Sequence, residues 1–276
     1  MKIDILTLFP EMFPGVLNAS ILKRAQDKKL VEIHTHQLRD WATDKHRTVD
    51  DSPYGGGPGM ILKVDVVDRA LHDLKLQVAT DKSQVRIKQK EIPTNLQPKN
   101  LKTSVILMTP QGRPFSQTLV QKLAKKSHLI LIAGHYEGFD ERIRALVNEE
   151  ISIGDYVLTG GEIPAMVLTD AVTRLLPGVL GNDTSSHEES FSDFGFPSDL
   201  GRPAETGRIS DLQSPQRLLE YPHYTRPETY KPISRPNLGN LAVPEILKNG
   251  HHAEIEKWRH NETVKRTQKR RPDLLK

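Results

Sequence analysis

The 276-residue chain has no cysteine, so disulfides, thiolate metal sites and a thiol nucleophile are excluded, and several enzyme classes go with them. No uninterrupted apolar run approaches the roughly 18 residues of a membrane-spanning helix. The opening residues, MKIDILTLFP, lack the basic, apolar and small-residue regions of a secretory signal. A soluble globular protein, cytoplasmic and without a membrane partner, is the expectation. Internal repeats are absent. Among His34, His36, His46 and His135 no metal-ligand spacing recurs beyond His34-Thr35-His36, which reads as two exposed strand positions. The run Gly55 to Gly59 is no phosphate loop, because it follows no apolar strand and ends in neither Lys-Ser nor Lys-Thr.

What is present suits a large domain followed by a smaller one, since 36% of the residues are hydrophobic. The net charge of +4 is unevenly placed. From Ala242 to Lys276 there are nine Lys or Arg against five Asp or Glu, an excess equal to that of the whole chain. A basic segment on a neutral body marks either a nucleic-acid contact or a solvated helix face.

Alternation predicts a strand over Lys2 to Phe9 and another over Val31 to Trp41, with a helix between them. Helical spacing returns over Lys63 to Leu76, and Ser104 to Met108 and Leu129 to Ala133 read as buried strands. Between those two strands, Ser116 is placed to cap a helix whose inner face is Leu119, Val120 and Leu123. The strand-then-glycine pattern recurs at Ile153 to Gly161, and Pro164 opens a helix that Pro177 and Gly178 close. This alternation indicates an α/β domain with a mostly parallel sheet over residues 1–181. The polar segment Asp81 to Lys102 reads as an insertion and residues 182–217 as a mobile linker. Residues 218–276 make a small helical domain built on His251 to Arg271.

Three turns, Thr109 to Gly112, Gly134 to Gly138 and Ile153 to Gly161, follow predicted strands, and ligands collect at the carboxyl ends of parallel strands. They are either structural turns or one pocket of backbone groups and small residues. The second and third hold no basic phosphate clamp, which favours a ligand other than a nucleotide polyphosphate. The Gly55 run, with Tyr54 and the charged lead Lys45 to Asp51, is either an ordinary glycine loop or a grip for an unstacked base. Arg174, and Glu188 with Glu189 beyond it, are either surface charges or an anion stabiliser and a general base.

The combination HRTVDDSPYGGGPGM, TPQGR, LILIAGHYEGFDER, SIGDYVLTGGE, LLPGVLG, PHYTRPE, HHAEIEKWR and RRPDLL resembles the bacterial tRNA (guanine-N1)-methyltransferases of the SPOUT class. The resemblance covers nearly the whole chain. It implies a trefoil-knotted, mostly parallel α/β domain, a small α-helical C-terminal domain and a homodimer with its active site at the interface. S-adenosylmethionine is implied as methyl donor, held by Gly134 and by Ile153, Gly154, Asp155, Tyr156, Val157 and Leu158. Leu107, Thr109, Pro110, Tyr136, Glu137, Gly138, Gly160 and Gly161 stand nearby. The implied acceptor is N1 of the guanine immediately 3′ of the tRNA anticodon. That base is held by His46, Arg47, Asp50 and the loop of Tyr54, Gly55, Gly56, Gly57 and Gly59. Glu189, from the partner subunit, is implied as the base and Arg174 as the cation. The family usually carries aspartate where Glu189 stands, one methylene shorter, and Glu188 is the other candidate. Lys257, Arg259, Arg270 and Arg271 are implied tRNA contacts, and magnesium an implied cofactor. Two other classes remain: a non-catalytic RNA-binding protein, and a metal-dependent hydrolase using Asp50, Asp51 and Asp140. The hydrolase has little support, because these acids lie on separate loops without a histidine pattern.

Overall fold

A computed structural model describes residues 1–80, 103–181, 189–191 and 217–275. The expected insertion at Asp81 to Lys102, most of the expected linker, and Glu188 lie outside them. The chain divides into two units, Met1–Gly181 and Asn182–Lys276.

In the first unit the order is β1 (Lys2–Thr7), α1 (Pro14–Leu17), α2 (Ser20–Asp27), β2 (Glu32–Gln37), β3 (Asp50–Asp51), β4 (Ile61–Leu62) and α3 (Val64–Thr80). Then come β5 (Thr103–Pro114), α4 (Gln117–Ala124), β6 (His128–Ala133), β7 (Glu149–Ser152) and α5 (Glu162–Arg174). Five strands form one sheet in the order β2-β1-β6-β5-β7, and every neighbouring pair is parallel. A parallel sheet is covered on both faces, which is why β6, HLILIA, is buried at all six positions. Alternate side chains point to opposite faces. Ile3, Ile5, Ile106, Leu129 and Leu131 pack with Leu22 of α2, Leu119 and Leu123 of α4, and Leu168 and Val172 of α5. Leu6, Val105, Leu107, Ile130 and Ile132 pack with Val67, Leu71 and Leu74 of α3.

Four local expectations are corrected. β5 does not stop at Met108: it runs on to Pro114, and both Met108 and Arg113 lie opposite Ile151, so Thr109 to Gly112 form a bulge inside a strand. The strand before the third loop is Glu149–Ser152 rather than Ile153 to Leu158. Its two acids hid it from the hydrophobic pattern, and both are matched by cations. Glu149 pairs with Arg113 and Lys122, each at 2.6 Å, and Glu150 pairs with Arg144. α5 begins two residues before Pro164, which therefore still lies in the first turn, where no intrahelical N–H is required. His36 is not an exposed strand position, because it is half-buried against Asp4.

Asp4, on the interior strand β1, is fully buried and accepts from His36 Nε2 at 2.8 Å and His128 Nε2 at 2.7 Å. Lys2 Nζ stands 3.2 Å away. Burial pushes the carboxyl up, but the two histidine hydrogen bonds and the Lys2 charge outweigh it and hold it well below the usual carboxylate range. A folded-state value below the unfolded one means stability that is present above about pH 4 and lost as pH falls further. Asp4→Asn is expected to cost about 3 kcal/mol at neutral pH, with the difference from the parent shrinking below about pH 4. Urea denaturation across pH measures both, and a pH-independent difference would contradict the account.

The second unit contains a short antiparallel pair, β8 (Thr229–Tyr230) with β9 (Leu241–Ala242), and a long helix, α6 (His252–Arg270). α6 organises residues 217–221: Thr267 Oγ1 accepts from Leu219 N at 2.9 Å, and the Arg259 guanidinium lies 4.8 Å from the centre of the Tyr221 ring. Among the described residues no helix is long and apolar enough to cross a membrane.

Candidate functional site

Because the sheet is parallel, the carboxyl-terminal parts of β5, β6 and β7 lie on one side, where the β5 bulge meets the loops that leave β6 and β7. They enclose a cleft of about 230 Å³. Its lining comes from the β5 bulge (Met108, Thr109, Pro110), from Gly134 to Phe139 after β6, from Ile151 to Gly154 and Tyr156 to Gly161 after β7, and from Pro164 of α5. The three segments singled out in the sequence thus surround one space. Leu107 and Asp155 do not line it: the Leu107 side chain is buried in the core against α3, and Asp155 is exposed. Phe139, Ile151, Ser152 and Pro164 line it without having been anticipated, whereas Met108 falls within the implied stretch Leu107 to Pro110, and His135 and Thr159 fall within the second and third turns. Ile151 and Ser152 were missed with the strand that carries them. His135 and Phe139 lie within or beside the Gly134 to Gly138 turn, which was itself the signal for them.

The walls are held by short-range bonds. Gly161 N donates to Gly134 O at 2.7 Å, pressing the start of α5 onto the end of β6. A Cβ on Gly161 would stand 2.7 Å from Gly134 N and 2.8 Å from Ala133 Cα, so only glycine fits. Ser152 Oγ donates to Gly154 O and accepts from Gly154 N, at 3.0 and 3.2 Å, which shapes the loop after β7. Beneath Gly160 lies Glu162, 1% exposed, whose Oε1 accepts from Thr7 Oγ1 at 2.8 Å. Its other oxygen is 3.6 Å from His135 Nδ1. Neither Lys nor Arg is in the lining, and its carboxylate is Glu137. Such a site suits a neutral or cationic ligand held through backbone groups and does not suit a polyphosphate.

The glycine loop is attached to this cleft. β3 and β4 pair as Asp50 with Leu62 and Asp51 with Ile61, closing the loop that carries Tyr54, which is fully exposed. Leu62 N donates to Gly138 O, Asp140 N to Leu62 O and Glu137 N to Met60 O, each at 3.0 Å. Upstream, Asp44 accepts from His46 N at 3.1 Å, from Thr48 N at 2.9 Å and from Thr48 Oγ1 at 2.7 Å. The Thr48 hydroxyl, with the surrounding amides, holds the Asp44 carboxyl below its ordinary value.

Arg174 is the last residue of α5, half-buried, on the stripe that also carries Ile163 and Val167. Those two are 47% and 42% exposed, and Val157 beside the cleft is 84% exposed. Glu189 belongs to the second unit. The residues after it are anchored there: Ser190 Oγ accepts from Glu220 N at 3.1 Å, Phe191 N donates to Leu218 O at 2.8 Å, and Arg271 lies over the Phe191 ring. Of the late cations, Lys257 and Arg270 are exposed, Arg271 pairs with Asp273 at 2.7 Å, and Arg259 is half-buried against Tyr221. Among the described residues no group of three His, Asp or Glu is placed to hold a metal ion.

A family model described as tRNA (Guanine-1)-methyltransferase TrmD matches residues 1–276. The tRNA (guanine-N(1)-)-methyltransferase of Staphylococcus haemolyticus (strain JCSC1435) is 49% identical over 276 residues, which are 100% of this chain and 91% of that protein. Those of Staphylococcus epidermidis (strain ATCC 12228 / FDA PCI 1200) and Staphylococcus carnosus (strain TM300) are each 48% identical over the same shares. With the match running from the first residue to the last and nearly half of the positions identical, the chain belongs to the tRNA (guanine-1)-methyltransferase TrmD family.

Proposed function

We propose that the protein methylates N1 of the guanine immediately 3′ of a tRNA anticodon, using S-adenosylmethionine. The observation that carries this reading is the cleft itself, in which the β5 bulge and the loops after β6 and β7 converge without a basic side chain and with Glu137 as carboxylate. When bound, S-adenosylmethionine supplies a methyl group on a positively charged sulfur, ready for displacement. The cleft fits it: backbone of the Gly134 and Ile153 loops holds the neutral parts, and the Glu137 carboxylate complements the positive charge.

Guanine N1 carries a proton and is a poor nucleophile until that proton leaves. Glu189 accepts it, and the Arg174 guanidinium stabilises the charge that builds on the neighbouring carbonyl oxygen. S-adenosylmethionine, which the loops after β6 and β7 would hold, would supply its methyl group to the N1 that Glu189 has deprotonated. Tyr54 and the glycine loop hold the unstacked guanine beside the cleft, a position supported by the three backbone bonds that join the two loops. Glu189 comes from a second copy of the chain, and the exposed Ile163, Val167 and Val157 support a homodimer through this face. The close crossing of Gly161 on Gly134 supports the trefoil-knotted SPOUT arrangement. The basic α6 segment, with Lys257 and Arg270 exposed, supports a C-terminal helical domain that contacts tRNA in the cytoplasm. The described residues show no cage for magnesium.

Tritium transfer from labelled S-adenosylmethionine to unmodified tRNA bearing the target guanine tests the reading. Incorporation at N1 is expected. Binding of both ligands without transfer would favour the non-catalytic RNA-binding alternative.

A further inference from the structure

Two residues beside the proposed acceptor and donor sites, Arg47 and Tyr136, hold left-handed backbone (φ +55° and +63°) although each carries a side chain. Such conformations persist where surrounding groups over-determine them, and they gather at functional sites. One side chain touches both. Arg39 Nη1 donates to Arg47 O at 3.4 Å and Arg39 Nη2 donates to Tyr136 Oη at 3.2 Å. Arg47 returns the contact, with Nε donating to Arg39 O at 3.3 Å and its guanidinium paired with Asp40.

Arg39 itself sits on a firm base. It belongs to a 3₁₀ turn, Leu38–Trp41, that continues directly from β2. Leu38 is buried, Gln37 accepts from Arg39 N and donates to Leu8 O, and Trp41 Nε1 donates to Asp73 on α3 at 2.9 Å. A fork of donors on a rigid turn thus spans the Arg47 loop and the ring of Tyr136 in the cleft wall.

We propose that Arg39 is a positioning residue for the RNA acceptor, acting through Arg47 and Tyr136 by holding the acceptor loop and the cleft wall in one mutual arrangement. This rests on the methyltransferase reading for the identity of the RNA. Without Arg39 the binding-competent arrangement is only a fraction of the population, and apparent RNA affinity falls by that fraction. A lysine keeps the charge but, as a single ammonium, does not reproduce the fork.

The test is fluorescence anisotropy with a labelled anticodon stem-loop carrying the target guanine, in saturating S-adenosylhomocysteine. Arg39→Lys and Arg39→Ala are both expected to weaken binding about tenfold. Tyr136→Phe, which removes only the hydroxyl, is expected to weaken it less, and not additively with Arg39→Lys. Calorimetry of S-adenosylhomocysteine alone is expected to stay within about twofold of the parent for the Arg39 variants, showing that the fold is intact. Parental affinity in Arg39→Lys would overturn the proposal in favour of a simple phosphate contact, and parental affinity in Arg39→Ala, or no binding by the parent, would overturn it outright. A parent that binds this RNA but transfers no methyl group would defeat the methyltransferase reading while leaving the positioning role intact.

Discussion

Glu189→Gln is expected to lower methyl transfer by about a hundredfold to ten-thousandfold, the usual contribution of a positioned general base. The amide has nearly the shape of the carboxylate but cannot accept the N1 proton. In this reading Glu189 acts on the guanine and not on the methyl donor, so S-adenosylmethionine affinity should stay within about twofold of the parent. Its neighbours are fixed independently of its own side chain, through Ser190 to Glu220 and Phe191 to Leu218, so the variant should keep the local backbone. Single-turnover kinetics with saturating tRNA isolate the chemical step. Glu189→Asp supplies the control: a carboxylate one methylene shorter should recover much of the rate, whereas a fully active Glu189→Gln would assign proton removal to another group.

The second large effect is expected at Gly161, where alanine should abolish measurable S-adenosylmethionine binding and destabilise the protein by about 1–3 kcal/mol. The atoms in the way are Gly134 N and Ala133 Cα, main-chain atoms at the end of a fully buried central strand. A flexible side chain could swing aside, but β6 is hydrogen-bonded to β1 on one flank and β5 on the other. The start of α5 must therefore retreat, breaking the 2.7 Å bond from Gly161 N to Gly134 O and opening the cleft wall. Calorimetric titration and thermal melting read the two effects. Gly15→Ala, at a glycine with open space around it, is the comparison that separates crowding from loss of glycine as such.

The strands that were legible in the sequence are the ones with a single physical demand. β6 is buried on both faces and reads as an unbroken apolar run, and α3 shows its stripe because one face meets the sheet. β7 was illegible because it is an edge strand whose acids are matched by Arg113 and Lys122 from far upstream and by Arg144 from the preceding turn, and a strand whose acids are paired in this way shows no apolar pattern. β5 ran past its expected end because the Thr-Pro-Gln-Gly composition that signals a turn also suits a bulge that rejoins the same partner. The site shows the same division. Glycines marked the loops that need close backbone approach, so most of the cleft was found. His135 against Glu162, and Arg39 against Tyr136, were not, since each contact joins residues far apart in sequence and only the folded sheet brings them together.

The interior position of β1 bears on how the protein is made. Lys2 to Thr7 leaves the ribosome well ahead of β6, and β2 covers one of its edges early, but its other edge belongs to β6, at residues 128–133. At roughly 5–20 residues per second of synthesis, that edge waits on the order of ten seconds for its partner. During the wait a strand rich in isoleucine and leucine presents unpaired main-chain groups, the template on which nascent chains associate wrongly. Slower synthesis lengthens that exposure, so yield of soluble protein should depend on elongation rate and chaperone supply more than on the stability of the finished fold.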